Sequence, residues 1–185
     1  MPFTINDSLK TPTSLLDYVS DDATFTFSNQ GTLIKKINGG SYSNGGAITQ
    51  FGVQGQAGLR FQIEVKKVGA GSPFAPFNIQ PSKVLSEVGG YGFSFGTGAG
   101  GAQTLETTGP AGGRVIFNTA VTDNTFYRFR LFFLTDSSIE YSVNGNVVDV
   151  VENIENQGGK WWFSLNTSFY NAVGLDYKNL QIRQF

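Results

Sequence analysis

The sequence predicts an all-β chain folded as an antiparallel two-sheet β-sandwich, in the manner of a jelly roll. Three observations carry this. Stretches of strand length alternate between apolar and polar residues, as in LRFQIEVKKV (59–68) and FYRFRLFFLT (126–135). Turn residues separate them, among 24 glycines in all. Phe is abundant at 17 residues while charged residues make up only 15%, which suits pleated surfaces buried on one side. So many antiparallel strands must each bury a face, and two packed sheets achieve that.

Taken in order, TPTSLLDYV reads as a helix of barely two turns, with Thr13 as its cap and Leu15, Leu16 and Val19 as its apolar face. It belongs to an N-terminal extension of residues 1–22. ATFTFSN follows as a strand with Phe25 and Phe27 inward, then GTLIKKI, then the turn cluster NGGSYSNGG, then AITQFGVQG. LRFQIEVKKV places Leu59, Phe61, Ile63 and Val65 on one side and Arg60, Gln62, Glu64 and Lys66 on the other. Residues 69–82 hold three prolines and read as a long loop or an edge. Tyr91, Phe93 and Phe95 mark a strand that runs into the glycine-rich GTGAGG, and RVIFNTA is another.

The stretch 126–151 alternates, reverses at TDSS, alternates with Ile139, Tyr141 and Val143 inward, and turns at Asn144-Gly145, a pair suited to a type I′ turn. On its polar face Arg128 or Arg130 opposite Glu140 forms a modest surface pair, while Phe132 and Leu134 suggest that part of that face is covered. KWWFSLN and NLQIRQF close the chain. The count is about ten to twelve strands in one domain spanning residues 1–185.

Composition excludes several functions. The chain has no Cys, so disulfides and thiolate metal sites are absent, and no His, the commonest metal ligand and general base. Net charge is −1 and evenly spread, without the basic patch that nucleic acid requires. The pairs Lys35-Lys36 and Lys66-Lys67 read as solvated strand ends. No apolar run approaches the roughly 20 residues of a membrane span, and the N-terminus lacks the pattern of a signal peptide.

The series NTFYRFRLFFLTDSSIEYSVNGNVVDVV, GGKWWFSLNTSF and LDYKNLQIRQF, preceded by LRFQIEVKKVG and GYGFSFGTG, resembles the concanavalin A-like lectin and glucanase superfamily, with its laminin G-like and SPRY-like members. The resemblance covers roughly residues 50–185 and implies the fold, not one function. Its glucanase branch carries E-x-D-x-x-E on one strand, with carboxylates on one face as nucleophile and acid. That motif is missing here: none of Glu64, Glu87, Glu106, Glu140, Glu152 and Glu155 has another acid two or four residues away on a plausible strand. A non-catalytic member, not an enzyme, is the expectation.

Site candidates are few. Neighbouring strand residues face opposite ways, so one of Trp161 and Trp162 is core and the other outer. An outer indole is a platform for the C–H face of a sugar, with Asn166 and Tyr170 as polar and aromatic companions. No catalytic or metal-ligating residue is assigned and no cofactor is expected. GTGAGG reads as an inter-strand loop, because AQTLETTGPAGG after it returns to turn chemistry instead of opening a helix. SDDATF (20–25) offers oxygens that Ca2+ takes but lacks the D-x-D-x-D-G spacing and reads as a solvated turn; calcium is known in the fold class, so a Ca2+ site stays open.

The expectation that emerges is a non-catalytic recognition module for a cell-surface or polymeric glycan, on a phage or virus particle. The alternative is a structural virion subunit, a head-decoration or tail-appendage protein, without sugar binding. A glycoside hydrolase comes third. A homo-oligomer and other virion subunits are the expected partners, with no nucleic acid and no membrane insertion. The expected location is the virion surface, or the cytoplasm before assembly.

Overall fold

A computed structural model describes residues 1–19, 23–36, 46–69, 77–85, 90–97, 103–110, 114–117, 121–166 and 174–185, and no helix occurs among them. The strands are β1 (Phe3–Asp7), β2 (Leu16–Val19), β3 (Ala23–Ser28), β4 (Gly31–Lys36), β5 (Gly46–Thr49), β6 (Val53–Gln54), β7 (Leu59–Val68) and β8 (Phe77–Gln80). They continue as β9 (Tyr91–Thr97), β10 (Gln103–Thr108), β11 (Arg114–Phe117), β12 (Phe126–Phe133), β13 (Ser138–Val143), β14 (Asn146–Glu152), β15 (Lys160–Asn166) and β16 (Gly174–Gln184).

They form two antiparallel sheets. The first runs β14-β13-β12-β7-β16-β4-β3, with β1 also paired to β16. The second runs β11-β10-β9-β8-β15-β5-β2, with β6 also paired to β15. This is the jelly-roll sandwich that the alternation predicts.

The alternation of β7 has a direct outcome: Leu59, Phe61, Ile63 and Val65 are fully buried between the sheets. Phe129, Leu131 and Phe133 of β12 join them from the same sheet, and Phe77, Phe93, Phe163 and Trp161 face them from the other. Ring centroids lie 4.8 Å apart for Phe93 and Phe129 and 5.7 Å apart for Phe77 and Phe163. Phe61, Phe77, Phe93, Phe95, Phe129, Phe133 and Phe163 are buried in the core, where each ring contributes about 1.5–3 kcal/mol. The Asn144-Gly145 turn forms as expected, with φ of 51° and 90°.

Four expectations need correction. The N-terminal helix is the strand β2: Leu16 is buried, and the Tyr18 ring packs edge-on against Phe25 at 5.2 Å. The Thr13 hydroxyl does accept a bond from the Leu15 amide at 3.2 Å, but the turn it closes leads into a strand. Two turns of isolated helix have little stability of their own, whereas pairing with β5 satisfies the backbone. Most of the N-terminal segment is likewise no extension, since β1 and β2 are built into different sheets.

Second, residues 77–80 are not loop or edge but β8, a central strand whose four residues are all buried. The prolines lie outside it, at positions 73, 76 and 81. Third, Lys67 is no solvated strand end: it is fully buried and bonds Asp123 at 2.7 Å. Fourth, the described residues alone hold sixteen strands, because the short ones are too brief to show a period.

The cover expected over Phe132 is the C-terminal residue. The Phe185 ring lies edge-on to it at 6.4 Å, under the guanidinium groups of Arg60 and Arg183.

Candidate functional site

The outer face of the second sheet is built differently from that of the first. Residues of β7 and β12 facing away from the core are half-buried or exposed, as water-facing sheet residues should be. On the second sheet the outward residues are polar yet recessed. Asn78 and Gln80 of β8, Ser94 of β9, Glu106 of β10 and Ser164 of β15 are each 3% exposed or less. A recessed polar group costs about 1–3 kcal/mol unless it is satisfied, and each of these five has a partner.

Register fixes their arrangement. Thr108, Gly92, Asn78, Ser164, Ile48 and Asp17 are successive cross-strand partners from β10 to β2. Five strand spacings make this row about 24 Å long. Glu106 and Ser94 pair in the next row, and Gln80 pairs with Trp162 on the other side. The Ser164 hydroxyl donates to Asn78 Oδ1, and Gln80 Nε2 donates to the same oxygen at 3.0 Å.

Glu106 stands between Thr104 and Thr108 on this face. The Oγ1 atoms of both threonines are inaccessible to solvent and have no hydrogen-bond partner among the described residues. Two orphaned hydroxyls beside a carboxylate form a group of donors and acceptors directed away from the core.

The two tryptophans divide as alternation requires. Trp161 is fully buried in the core, edge-on to Tyr91 at 5.6 Å and Phe133 at 5.9 Å. It offers no face to a ligand, which corrects its place among the site candidates. Trp162 points outward and is half-buried. Gly52 packs against its indole so closely that an added Cβ would lie 2.8 Å from the ring. The same stretch carried the signal that decides between them: Phe163 and Leu165 share the parity of Trp161, and both are fully buried. Asn166 ends β15 opposite Gly46. Tyr170 lies outside the described residues, as do Ser20, Asp21 and Asp22 of the Ca2+ candidate.

Sequence reasoning missed Glu106. The Thr-rich run around it reads as turn chemistry, but it is β10, and β-branched threonines are at home in strands. The segment after GTGAGG therefore leads into a strand, and residues 98–101 of that loop lie outside the described residues.

At its β2 end the row opens on a hollow of about 440 Å³, lined by Asp17, Val19, Ile48, Lys83, Val84 and Leu85. The Lys83 ammonium meets the Asp17 carboxylate at 2.5 Å. That contact is the main reason the Asp17 carboxyl titrates below its ordinary range. Elsewhere, Arg130 pairs with Glu140 at 2.6 Å, while Arg128 and Lys178 each approach Glu64 at 3.5 Å, on the outer face of the first sheet. These are surface pairs of small energetic weight.

No family model matches the chain. No curated protein matches it either. Solved structures do. A Crh5 transglycosylase superposes with a TM-score of 0.69 at 10% identity, over 98% of this chain and 84% of that one. The β-glucanase of Bacillus licheniformis gives 0.60 at 10% identity, over 98% and 97%. The carbohydrate-binding module CBM66 of Bacillus subtilis gives 0.56 at 9% identity, over 90% and 94%. The fold is a concanavalin A-like β-sandwich.

These neighbours correct the expectation of a non-enzyme. Two of the three are named as enzymes, so this fold carries catalysts as well as binding modules. The missing E-x-D-x-x-E does not remove the chain from the former. Carboxylates need not share a strand to meet on a face, and Glu106 stands on the recessed face without any acid beside it in sequence.

Proposed function

We propose that this protein handles carbohydrate, taking a glycan chain along the outer face of its second sheet. The observation that carries this reading is the recessed polar floor with its two orphaned threonine hydroxyls beside Glu106. A sugar presents many hydroxyls, each donor and acceptor, and apolar C–H faces. Glu106, Thr104, Thr108, Asn78 and Gln80 give the floor its polar character, and Trp162 supplies a flat apolar surface at its margin. A row about 24 Å long suits several sugar units in succession better than one. The glycan-related names of the structural neighbours agree with this reading.

Glu106 gives the site a chemical option. A carboxyl group on a glycan-binding face can donate a proton to a glycosidic oxygen or attack the anomeric carbon, when a second carboxylate stands about 5–10 Å away.

The test is a glycan array with the wild type and Trp162→Ala, followed by assay of any bound polysaccharide for new reducing ends, with Glu106→Gln beside it. Binding weakened in a folded Trp162→Ala variant supports the site. Reducing ends that depend on Glu106 add cleavage to it. A folded wild type that binds no glycan overturns the reading.

A further inference from the structure

The hollow at the β2 end of the row is chemically unlike the floor that leads to it. From Asn78 and Ser164 the row passes to Ile48 and then to Asp17, so a polar run meets an apolar side chain before it ends at a carboxylate. Val19 and Ile48 form the wall on the sheet side; Val84 and Leu85 form the other. Val84 is 57% exposed, so its side chain is open to whatever enters the hollow. The Asp17 carboxylate and Lys83 ammonium share the same space, with their side chains 41% and 42% exposed.

We propose that this hollow receives the acetamido group of a 2-acetamido sugar. The proposal rests on the carbohydrate reading of the same face and specifies its ligand. An acetamido group brings three things: an N–H donor, a carbonyl acceptor and a methyl group. The hollow holds a partner for each. Asp17 accepts from Lys83 and Gln50, and its two oxygens keep further lone pairs to accept from the N–H. Lys83 keeps two of its three ammonium protons for the carbonyl. Ile48, Val19, Val84 and Leu85 take the methyl.

A 2-hydroxyl sugar can donate to Asp17 and accept from Lys83, but it lacks the methyl that Ile48, Val19, Val84 and Leu85 would cover. A volume of about 440 Å³ lies within the range of small-ligand sites and leaves room for the ring as well as its substituent.

The experiment is an array of glycans in matched pairs that differ only in 2-acetamido against 2-hydroxyl, read with the wild type, Asp17→Asn, Lys83→Met and Val84→Asp, each checked by circular dichroism. The expected result is a preference of about tenfold or more for the acetamido member in the wild type, collapsing to near parity in the variants. Binding without that preference, or a preference the three variants retain, overturns the acetamido assignment and leaves the carbohydrate reading standing. Binding to no glycan at all overturns both. Trp162→Ala separates the two levels further: it weakens both members of a pair, whereas the hollow variants act on the difference between them.

Discussion

Ser164 and Asn78 are joined side chain to side chain on the outer face of the second sheet, the serine hydroxyl donating to Asn78 Oδ1. The same oxygen accepts from Gln80 at 3.0 Å. One amide oxygen therefore orients two polar neighbours at the middle of the row, and all three side chains are 3% exposed or less.

Asn78→Ala removes the acceptor for both donors. The expected cost is about 1–3 kcal/mol, because buried donors are left without that partner. Asn78→Asp keeps an acceptor at the same place but buries a carboxylate and loses the amide donor, so it should recover little of the loss at neutral pH. Urea denaturation of the two variants measures this. Equal stability of Asn78→Ala and wild type would remove the serine–asparagine contact from the account.

The tryptophan pair predicts opposite phenotypes from adjacent positions. Trp161→Ala opens a cavity beside Tyr91 and Phe133 and should destabilise the protein by about 3–5 kcal/mol. Trp162→Ala should remain folded with a much smaller change in stability, and should weaken glycan binding. Denaturation midpoints together with the array decide this; a strongly destabilised Trp162→Ala would assign that indole a structural role instead.

Lys67 makes an asymmetric prediction. Its ammonium is fully buried against Asp123, whose side chain is 45% exposed. Asp123→Ala takes one anion away from a buried cation and should cost about 1–3 kcal/mol. Lys67→Met removes the buried charge itself, frees Asp123 to water, and should fall within about 1 kcal/mol of the wild type on either side. Thermal unfolding of the two single variants and the double variant gives the comparison. A Lys67→Met variant weaker than Asp123→Ala would contradict it.

Asp17 gives the pH dependence of the hollow. Its carboxyl lies below the ordinary range, chiefly because it accepts a hydrogen bond from Lys83; desolvation opposes this, and the charge of that ammonium and a bond from Gln50 add to it. A depressed carboxyl is ionised in the folded protein at and above its ordinary value, about pH 4. Its contribution is lost only as pH falls through the lowered value. The acetamido preference should thus be flat from neutral pH down to about pH 4 and decline below it. Titration of the preference against pH checks this, and Asp17→Asn should abolish the step. A decline already complete near pH 6 would point to a different group.

The sequence by itself determined the alternation, and with it the faces. Period two along 59–68 and 126–143 assigned nearly every core residue of β7, β12 and β13, because strand alternation is a local property of the backbone. The Asn-Gly turn was local too, since it depends only on which residues tolerate positive φ. The splitting of Trp161 from Trp162 followed from the same rule.

What only the tertiary structure decided was adjacency. β8 and β10 are too short and too polar to announce themselves, and they became strands because their neighbours on both sides pair with them. β2 is a strand because β5 lies beside it. The row from Thr108 to Asp17 joins six strands spread from residue 16 to residue 166, with a register that no single stretch encodes. Glu106 is the sharpest case. In sequence it is one acid among threonines; in the sheet it stands on a recessed face opposite Ser94. Cross-strand register is fixed by burying one face of every strand at once, and that is a property of the assembled sandwich.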